Sequence, residues 1–424
     1  MSADVAWSKE KTMTELAING GPKVRTKPFP PRNLVGEEER AALNALIDDA
    51  LATGKVINYN GPAEKQYEQD FAEWMGGGYA DGVNSGTNAL FCAIGALNID
   101  ALSEIIVPPI TDPGGCMPVL FAGCVPVVAD SDPRSFNASA EGIASRITER
   151  TRAIVVAHIA GEAADMDPIM ELAAKHNLYV IEDCSQCHGA LYKGRKVGSI
   201  GHIAAFSTMS GKHHCTGGQG GVVYTTDQNL HIEGKRFADR GKTFQPNPPY
   251  NVRAGLNCNL DDIGATIGSC QIKKLPGMLE RRWHNGEMLK QALLKNPAVK
   301  VGWQVPDSQC IYWFFRLTID TNVLKCDKKT FCDALWAEGI LVQADYANIP
   351  CKGQWFIDQR VFGNSGYPWQ CPAYKGDRHP VYDMHNAEEA VAKNFIIYEN
   401  ERYTDDDMKD IIDAINKVTE YYLK

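Results

Sequence analysis

From Glu37 to Ile47 apolar residues recur at helical spacing behind the three acidic residues Glu37, Glu38 and Glu39, which suit the positive end of a helix dipole. The pattern predicts a helix entering a folded domain. Short apolar runs then alternate with amphipathic segments: Ile105-Ile106-Val107, Val125 to Ala129, Ala153 to Ala157 and Tyr179-Val180-Ile181 read as strands, and Pro168 to His176 reads as a helix between the last two. Repeated strand–helix–strand units imply a mostly parallel central sheet covered by helices on both faces, an α/β architecture. Val222-Val223-Tyr224 is a further strand, and an amphipathic stretch from Ile263 through Leu293 predicts a long helix. A strand over Tyr312 to Ile319, a helix over Lys328 to Glu338 and a closing helix over Asp405 to Leu423, capped by Thr404, predict a smaller C-terminal α+β unit. The expected organisation is an N-terminal arm over 1–35, a large domain over 36–298 and a small domain over 299–424. The arm is polar and broken by Asn19-Gly20-Gly21-Pro22 and Lys27-Pro28-Phe29-Pro30-Pro31, so it is expected to lie over the surface of its own or a partner subunit.

Composition narrows the function. A length of 424 residues with 44% apolar content supports a large core, and a net charge of −9 without a long basic run argues against nucleic acid or an anionic membrane as partner. No stretch has the unbroken apolar length of a membrane span, and Met1 to Leu16 lacks the apolar run of a signal peptide, so a cytoplasmic location is expected. The 13 cysteines are scattered through apolar segments and read as reduced, buried residues. Cys184 and Cys187 form a lone C-x-x-C, and His213 and His214 are adjacent with no third ligand at a helical offset, so no metal site is expected.

Three segments carry candidate chemistry. Ser85-Gly86-Thr87-Asn88 runs directly into the helix Ala89 to Leu97, and the amides of a helix start, with the side chains of Thr87 and Asn88, suit a phosphate. Asp183 follows the buried run Tyr179 to Ile181 at the carboxyl end of a strand, where open α/β sheets present ligands; there a carboxylate keeps a pyridine nitrogen protonated. Gln186, three residues on, is within reach of a ring hydroxyl. Lys212 stands in a turn after the strand ending at Ser207 and before Gly217-Gly218-Gln219-Gly220-Gly221, where desolvation makes a lysine an imine-forming nucleophile. Alone, these are a helix cap, a strand-end charge and a solvated lysine; together and in this order they answer the needs of a carbanion-stabilising cofactor.

Ser-Gly-Thr-x-Ala-Leu, Ile-Glu-Asp-x-x-Gln-x-x-Gly and Phe-Ser-x(4)-Lys before a Gly-Gly turn resemble the DegT/DnrJ/EryC1/StrS class of fold-type I sugar aminotransferases, and the likeness continues through Gly255-Leu256-Asn257 to the C-terminal tail. The resemblance implies pyridoxal 5′-phosphate as cofactor and Lys212 as its Schiff-base lysine. It also implies a phosphate turn at Gly86, Thr87, Asn88 and Ser207, Asp183 as the pyridine partner, and Gln186 on the ring hydroxyl. Asn257 falls on the residue that reaches the phosphate of the neighbouring subunit, which implies a homodimer with shared active sites. The expected reaction moves an amino group from glutamate or glutamine to a keto-sugar, nucleotide-linked, or to a keto-cyclitol.

Three departures bear on recognition. Asp112, in Pro109-Ile110-Thr111-Asp112-Pro113-Gly114-Gly115, stands where the family commonly packs an aromatic residue on the ring; the turn after Lys212 is one residue longer than usual; and Asn259 replaces a common arginine. A relative of the class carries histidine in place of the lysine and dehydrates keto-sugars, and His213 raises that alternative, but counting from Ser207 puts Lys212 at the catalytic position. A non-catalytic cofactor-binding sensor of the same fold is a second alternative, disfavoured by the intact Lys212 and Asp183. A nicotinamide oxidoreductase lacks its G-x-G-x-x-G after the first strand.

Overall fold

The computed structural model describes residues 15–244 and 249–424, so the first fourteen residues of the N-terminal arm lie outside the described residues. Seven apolar segments form one sheet: β1 (Tyr79–Val83), β2 (Glu104–Val107), β3 (Val125–Val128), β4 (Thr151–Ala157), β5 (Tyr179–Asp183), β6 (Ile203–Ser207) and β7 (Gly221–Thr225). Their order is β1-β7-β6-β5-β4-β2-β3, with β7 antiparallel to both its neighbours and every other pairing parallel. The fold class is therefore α/β, a mostly parallel sheet covered by helices, as the sequence pattern predicts. Every residue of β2, β6 and β7 is buried, as strands inside a sheet covered on both faces require, whatever their direction.

Helices α1 (Glu37–Thr53), α2 (Pro62–Met75), α3 (Gly86–Ala96), α4 (Met166–His176), α5 (Gln228–Ala238) and α6 (Asp262–Ala292) flank the sheet. One apolar cluster joins α3 to one face of the sheet, through Leu90, Ile94, Ile105, Val107 and Ile181; a second joins α2 and α4 to the other, through Phe71, Ile106, Ile154, Ile169 and Phe206. Helix α6 runs along α1 and α2 and ends in a third cluster, where Leu289 and Leu293 meet the small C-terminal sheet. That sheet consists of β8 (Val299–Val301), β9 (Phe315–Ile319), β10 (Val342–Gln343) and β11 (Asn394–Ile397), ordered β8-β9-β11-β10 and antiparallel throughout; α7 (Lys328–Ala337) and α8 (Asp405–Tyr422) cover it. Thr404 caps α8 reciprocally with Asp407.

Two differences from the sequence pattern matter for function. The strand expected from Tyr312 starts only at Phe315, because the amides of Ile311 and Trp313 donate to the carbonyls of Gly161 and Ala160 at 3.1 and 3.0 Å and so bind the loop after β4. The residues are as apolar as a strand, but their partners come from the large sheet. The described part of the arm lies along its own chain: Leu16 is buried in the third cluster, Glu338 accepts the amides of Ala17 and Val24, and Arg25 pairs with Asp407 and Asp410 at 2.8 Å each.

Candidate active site

The carboxyl ends of β4, β5 and β6 and the start of α3 enclose a cavity of about 230 Å³. Its lining includes Gly86, Thr87, Asp112, Asp183, Gln186, Ser207 and Lys212, brought together from four separate segments. At one end, Ser85 caps α3 by accepting the amide of Asn88 at 3.1 Å, so the first turn is rigid and its leading amides lack intrahelical partners. Gly86 lets this turn touch the end of β6: a Cβ there would lie 2.4 Å from Ser207 Cβ. The Ser207 hydroxyl thus stands beside the amides of Gly86 and Thr87, a donor set suited to a phosphate.

Asp183 is buried at the other end, where Oδ1 accepts the amide of Ser185 at 3.0 Å. Lys212 Nζ lies 4.8 Å from the centroid of the Trp313 ring. Burial lowers the pKa of this lysine below its usual range, while Asp183 and Asp112 pull it the other way. A neutral amine is therefore more accessible here than on a solvated lysine. The loop that carries it is pinned by Thr208, whose hydroxyl meets that of Thr216 at 2.7 Å and whose amide donates to Gly220. His213 is fully buried and is not among the residues that line the cavity; its ring centroid lies 5.1 Å from that of Trp313. Burial, followed by Arg282 and His188, holds its pKa well below the usual range, so it is neutral.

Asp112 caps a short turn, accepting the amide of Gly114 at 2.9 Å. That turn packs against the floor of the cavity: a Cβ on Gly115 would fall 2.3 Å from Thr111 Oγ1 and 3.0 Å from Asp183 Oδ2. Gln186 accepts the amide of Ala160 and donates to the Tyr346 hydroxyl at 2.8 Å. Two expected site residues lie outside the cavity lining: Asn88 donates its side-chain amide to Asn84, and Asn257 is exposed, accepting from Asn259 at 2.6 Å.

The sequence pattern missed His158, which lines the cavity one residue beyond β4. Its signal was available, because β4 and β5 pair in parallel with Ala157 opposite Asp183. His158 Nδ1 accepts the amide of Ala164, so Nε2 donates to Glu182 at 3.0 Å. Burial disfavours the Glu182 carboxylate, but His158 and the amides of Gly198 and Gly201 outweigh it and hold its pKa below the usual range. Cys184 lies close to this pair, yet those partners already occupy Glu182 and both nitrogens of His158, which makes the cluster structural. Trp313 and Tyr346 were also missed, and no spacing signal marks either.

The model of the DegT/DnrJ/EryC1/StrS aminotransferase family matches residues 37–416. The chain belongs to this family. A GDP-perosamine synthase of Caulobacter vibrioides is 38% identical over 218 residues, which span 51% of this chain and 58% of that one. An L-glutamine:2-deoxy-scyllo-inosose aminotransferase of Streptomyces lividus is 34% identical over 292 residues, 65% of this chain and 67% of the other. The solved aminotransferase of Psychrobacter cryohalolentis superposes with a TM-score of 0.81 at 30% identity, covering 93% of this chain and all of that one. This family member is thus an enzyme of the transaminase type, and the family's cofactor is pyridoxal 5′-phosphate. The cavity fits that group: a glycine-gated donor cradle at one end, and a carboxylate and a desolvated lysine at the other. Among the described residues, no helix is long and apolar enough to cross a membrane.

Proposed function

We propose that this enzyme transfers an amino group from glutamate or glutamine to a carbonyl of a polyhydroxylated ring, either a nucleotide-linked keto-sugar or a keto-cyclitol. The observation that carries this reading is the convergence of Lys212, Asp183, Ser207 and the start of α3 on one cavity. The two substrate classes follow from the relatives, one named for a GDP-linked sugar product and one for a cyclitol substrate.

When bound, pyridoxal phosphate supplies an electron sink for carbon–hydrogen bond cleavage next to nitrogen. Gly86, Thr87 and Ser207 would hold its phosphate through amide and hydroxyl donors. The Asp183 carboxylate would keep a proton on the ring nitrogen, and Gln186 would orient a ring hydroxyl. Lys212 would hold the group through Nζ and would accept and return a proton at the same atom; its lowered pKa suits both tasks. The place of Lys212 in the cavity lining, with His213 outside it, supports Lys212 over the histidine-dependent dehydration. Asp112 adds a carboxylate at the rim where an aromatic wall is common, which favours hydroxyl or amine groups on the acceptor over further anions.

A homodimer with shared sites is part of the proposal. Asn257 is exposed outside its own cavity, and Val252, Leu256 and Ile263 around it are exposed apolar residues that a second copy would cover.

The test uses the purified protein. It should be yellow, and glutamate or glutamine should bleach the Schiff-base band. Lys212→Ala should abolish that band while leaving the protein folded. A band that persists in Lys212→Ala refutes the lysine assignment; no bleaching by any amino donor refutes transamination.

A further inference from the structure

Arg32 belongs to the arm, far in sequence from every cavity residue, yet its side chain is largely buried against the turn that carries Lys212. Its Nη1 donates to the carbonyl of Gly211 at 2.6 Å, and its Nη2 to the carbonyl of His213 at 3.1 Å. These two carbonyls flank Lys212 on either side. The remaining donor, Nε, meets both carboxylate oxygens of Glu401 at 2.8 and 3.1 Å. One planar guanidinium therefore ties the peptides on both sides of the lysine to the segment after β11.

Glu401 also receives Nε of Arg282 at 3.1 Å, and Arg282 donates through Nη1 to Glu399 at 3.1 Å and to the carbonyl of Tyr312 at 2.7 Å. Tyr312 precedes Trp313, whose ring lies beneath Lys212 Nζ. The same Glu401 thus anchors the lysine backbone from one side and, through Arg282, the aromatic surface under its side chain from the other. Each of the two arginines and two glutamates has a hydrogen-bonded partner of opposite type, the condition under which buried ions are tolerated. Among the described residues, no other donor reaches the carbonyls of Gly211 and His213.

We propose that Arg32 is a positioning residue for the reaction: its fork fixes the peptide frame of Lys212 and so sets where Nζ stands relative to Asp183. This rests on Lys212 being the Schiff-base lysine. A lysine at position 32 would keep the charge and the pairing with Glu401, but it has no rigid fork to span the two carbonyls. Misplacement of a reacting atom by about 1 Å is enough to cost on the order of 100-fold in rate, whereas donor binding to the rest of the site has no reason to change.

The experiment compares the wild-type holoprotein with Arg32→Met and Arg32→Lys. Two readouts are taken: visible circular dichroism of the Schiff-base band, normalised to its absorbance, and the single-turnover rate at which glutamate or glutamine bleaches it. In both variants the normalised dichroism should fall, and the saturating rate should drop at least about tenfold, with the half-saturating donor concentration unchanged within about threefold. If Arg32→Met does not accumulate as folded protein, Arg32→Lys decides alone. Wild-type dichroism and rate in a folded Arg32→Met overturn the proposal. Rescue by Arg32→Lys overturns it too, since charge without the fork would then suffice. Lys212→Ala separates the two levels: a persisting band means that the lysine assignment has failed, whereas a lost band with normal Arg32 variants means that only the positioning role has failed.

Discussion

Gly86→Ala tests the cradle with a single methyl group. An ordinary van der Waals contact starts near 3.4 Å, and the new Cβ would stand 2.4 Å from Ser207 Cβ and 2.9 Å from Ser207 Cα, so the start of α3 must retreat by about 1 Å. The helix cannot slide backwards freely, because its far end is blocked in the same way: a Cβ on Gly95 would lie 2.2 Å from the ring of Phe237. Neither glycine has a positive φ, so backbone strain does not contribute. Overpacking of this kind costs about 1–3 kcal/mol, equivalent to about 5- to 150-fold in an equilibrium constant, and because the displaced amides are those offered to the phosphate, part of that cost should appear as a loss of cofactor affinity that stays below this ceiling. Equilibrium titration of the cofactor-free protein with pyridoxal phosphate measures the affinity, and thermal unfolding without cofactor measures the strain. Gly95→Ala is the control, since it overpacks the same helix away from the cavity and should lower stability with a far smaller effect on affinity. Unchanged affinity in Gly86→Ala, or an equal loss in Gly95→Ala, would refute the cradle geometry.

Asp183→Asn should retain the cofactor but react with amino donors at least about 100-fold more slowly, because a neutral partner no longer favours the protonated ring nitrogen; stopped-flow bleaching of the Schiff-base band measures this. Glu64 should make the fold pH-sensitive in a defined direction. Burial, and then Glu68, push its pKa up to about 8 from an ordinary 4.5, so the folded state binds this proton more tightly than the unfolded state. That contribution is complete below about pH 4.5 and is lost as pH rises through about 8. Glu64→Gln should flatten part of the fall in urea midpoint between pH 6 and pH 9, and an unchanged slope would show that Glu64 does not carry it.

The sheet was legible because burial on both faces writes itself into sequence as unbroken apolar runs, as at Ile105 to Val107 and Ala153 to Ala157. The cavity residues were legible for a related reason: parallel strands deliver their carboxyl ends to one edge, so a polar residue just after such a run, Asp183 after Ile181 or Ser207 after Phe206, is a site candidate on position alone. His158 obeys the same rule and was overlooked because histidine after an apolar run has no distinctive partner at a fixed spacing. Side-chain direction was less legible than placement. Asn88 shares the phosphate turn with Thr87 but is one helical step on, which turns its amide toward Asn84 instead of into the cavity.

The supports behind Lys212 were not legible at all, and the reason is physical. Trp313 reaches the lysine only because the amides of residues 311 and 313 leave the strand pattern for the carbonyls of Gly161 and Ala160, a choice made by tertiary contact against local propensity. Arg32 gives even less warning: an arginine after a proline run reads as a solvated charge, and its three acceptors come from residues 211, 213 and 401. Carbonyl oxygens belong to every residue type, so a side chain that recognises backbone leaves no mark on the sequence it recognises. The reacting groups of such a site are written in residue identity, whereas the groups that hold them in place are written in the fold. It follows that a chain with all the motif residues intact can still lose the geometry of its lysine through one change in a distant arm.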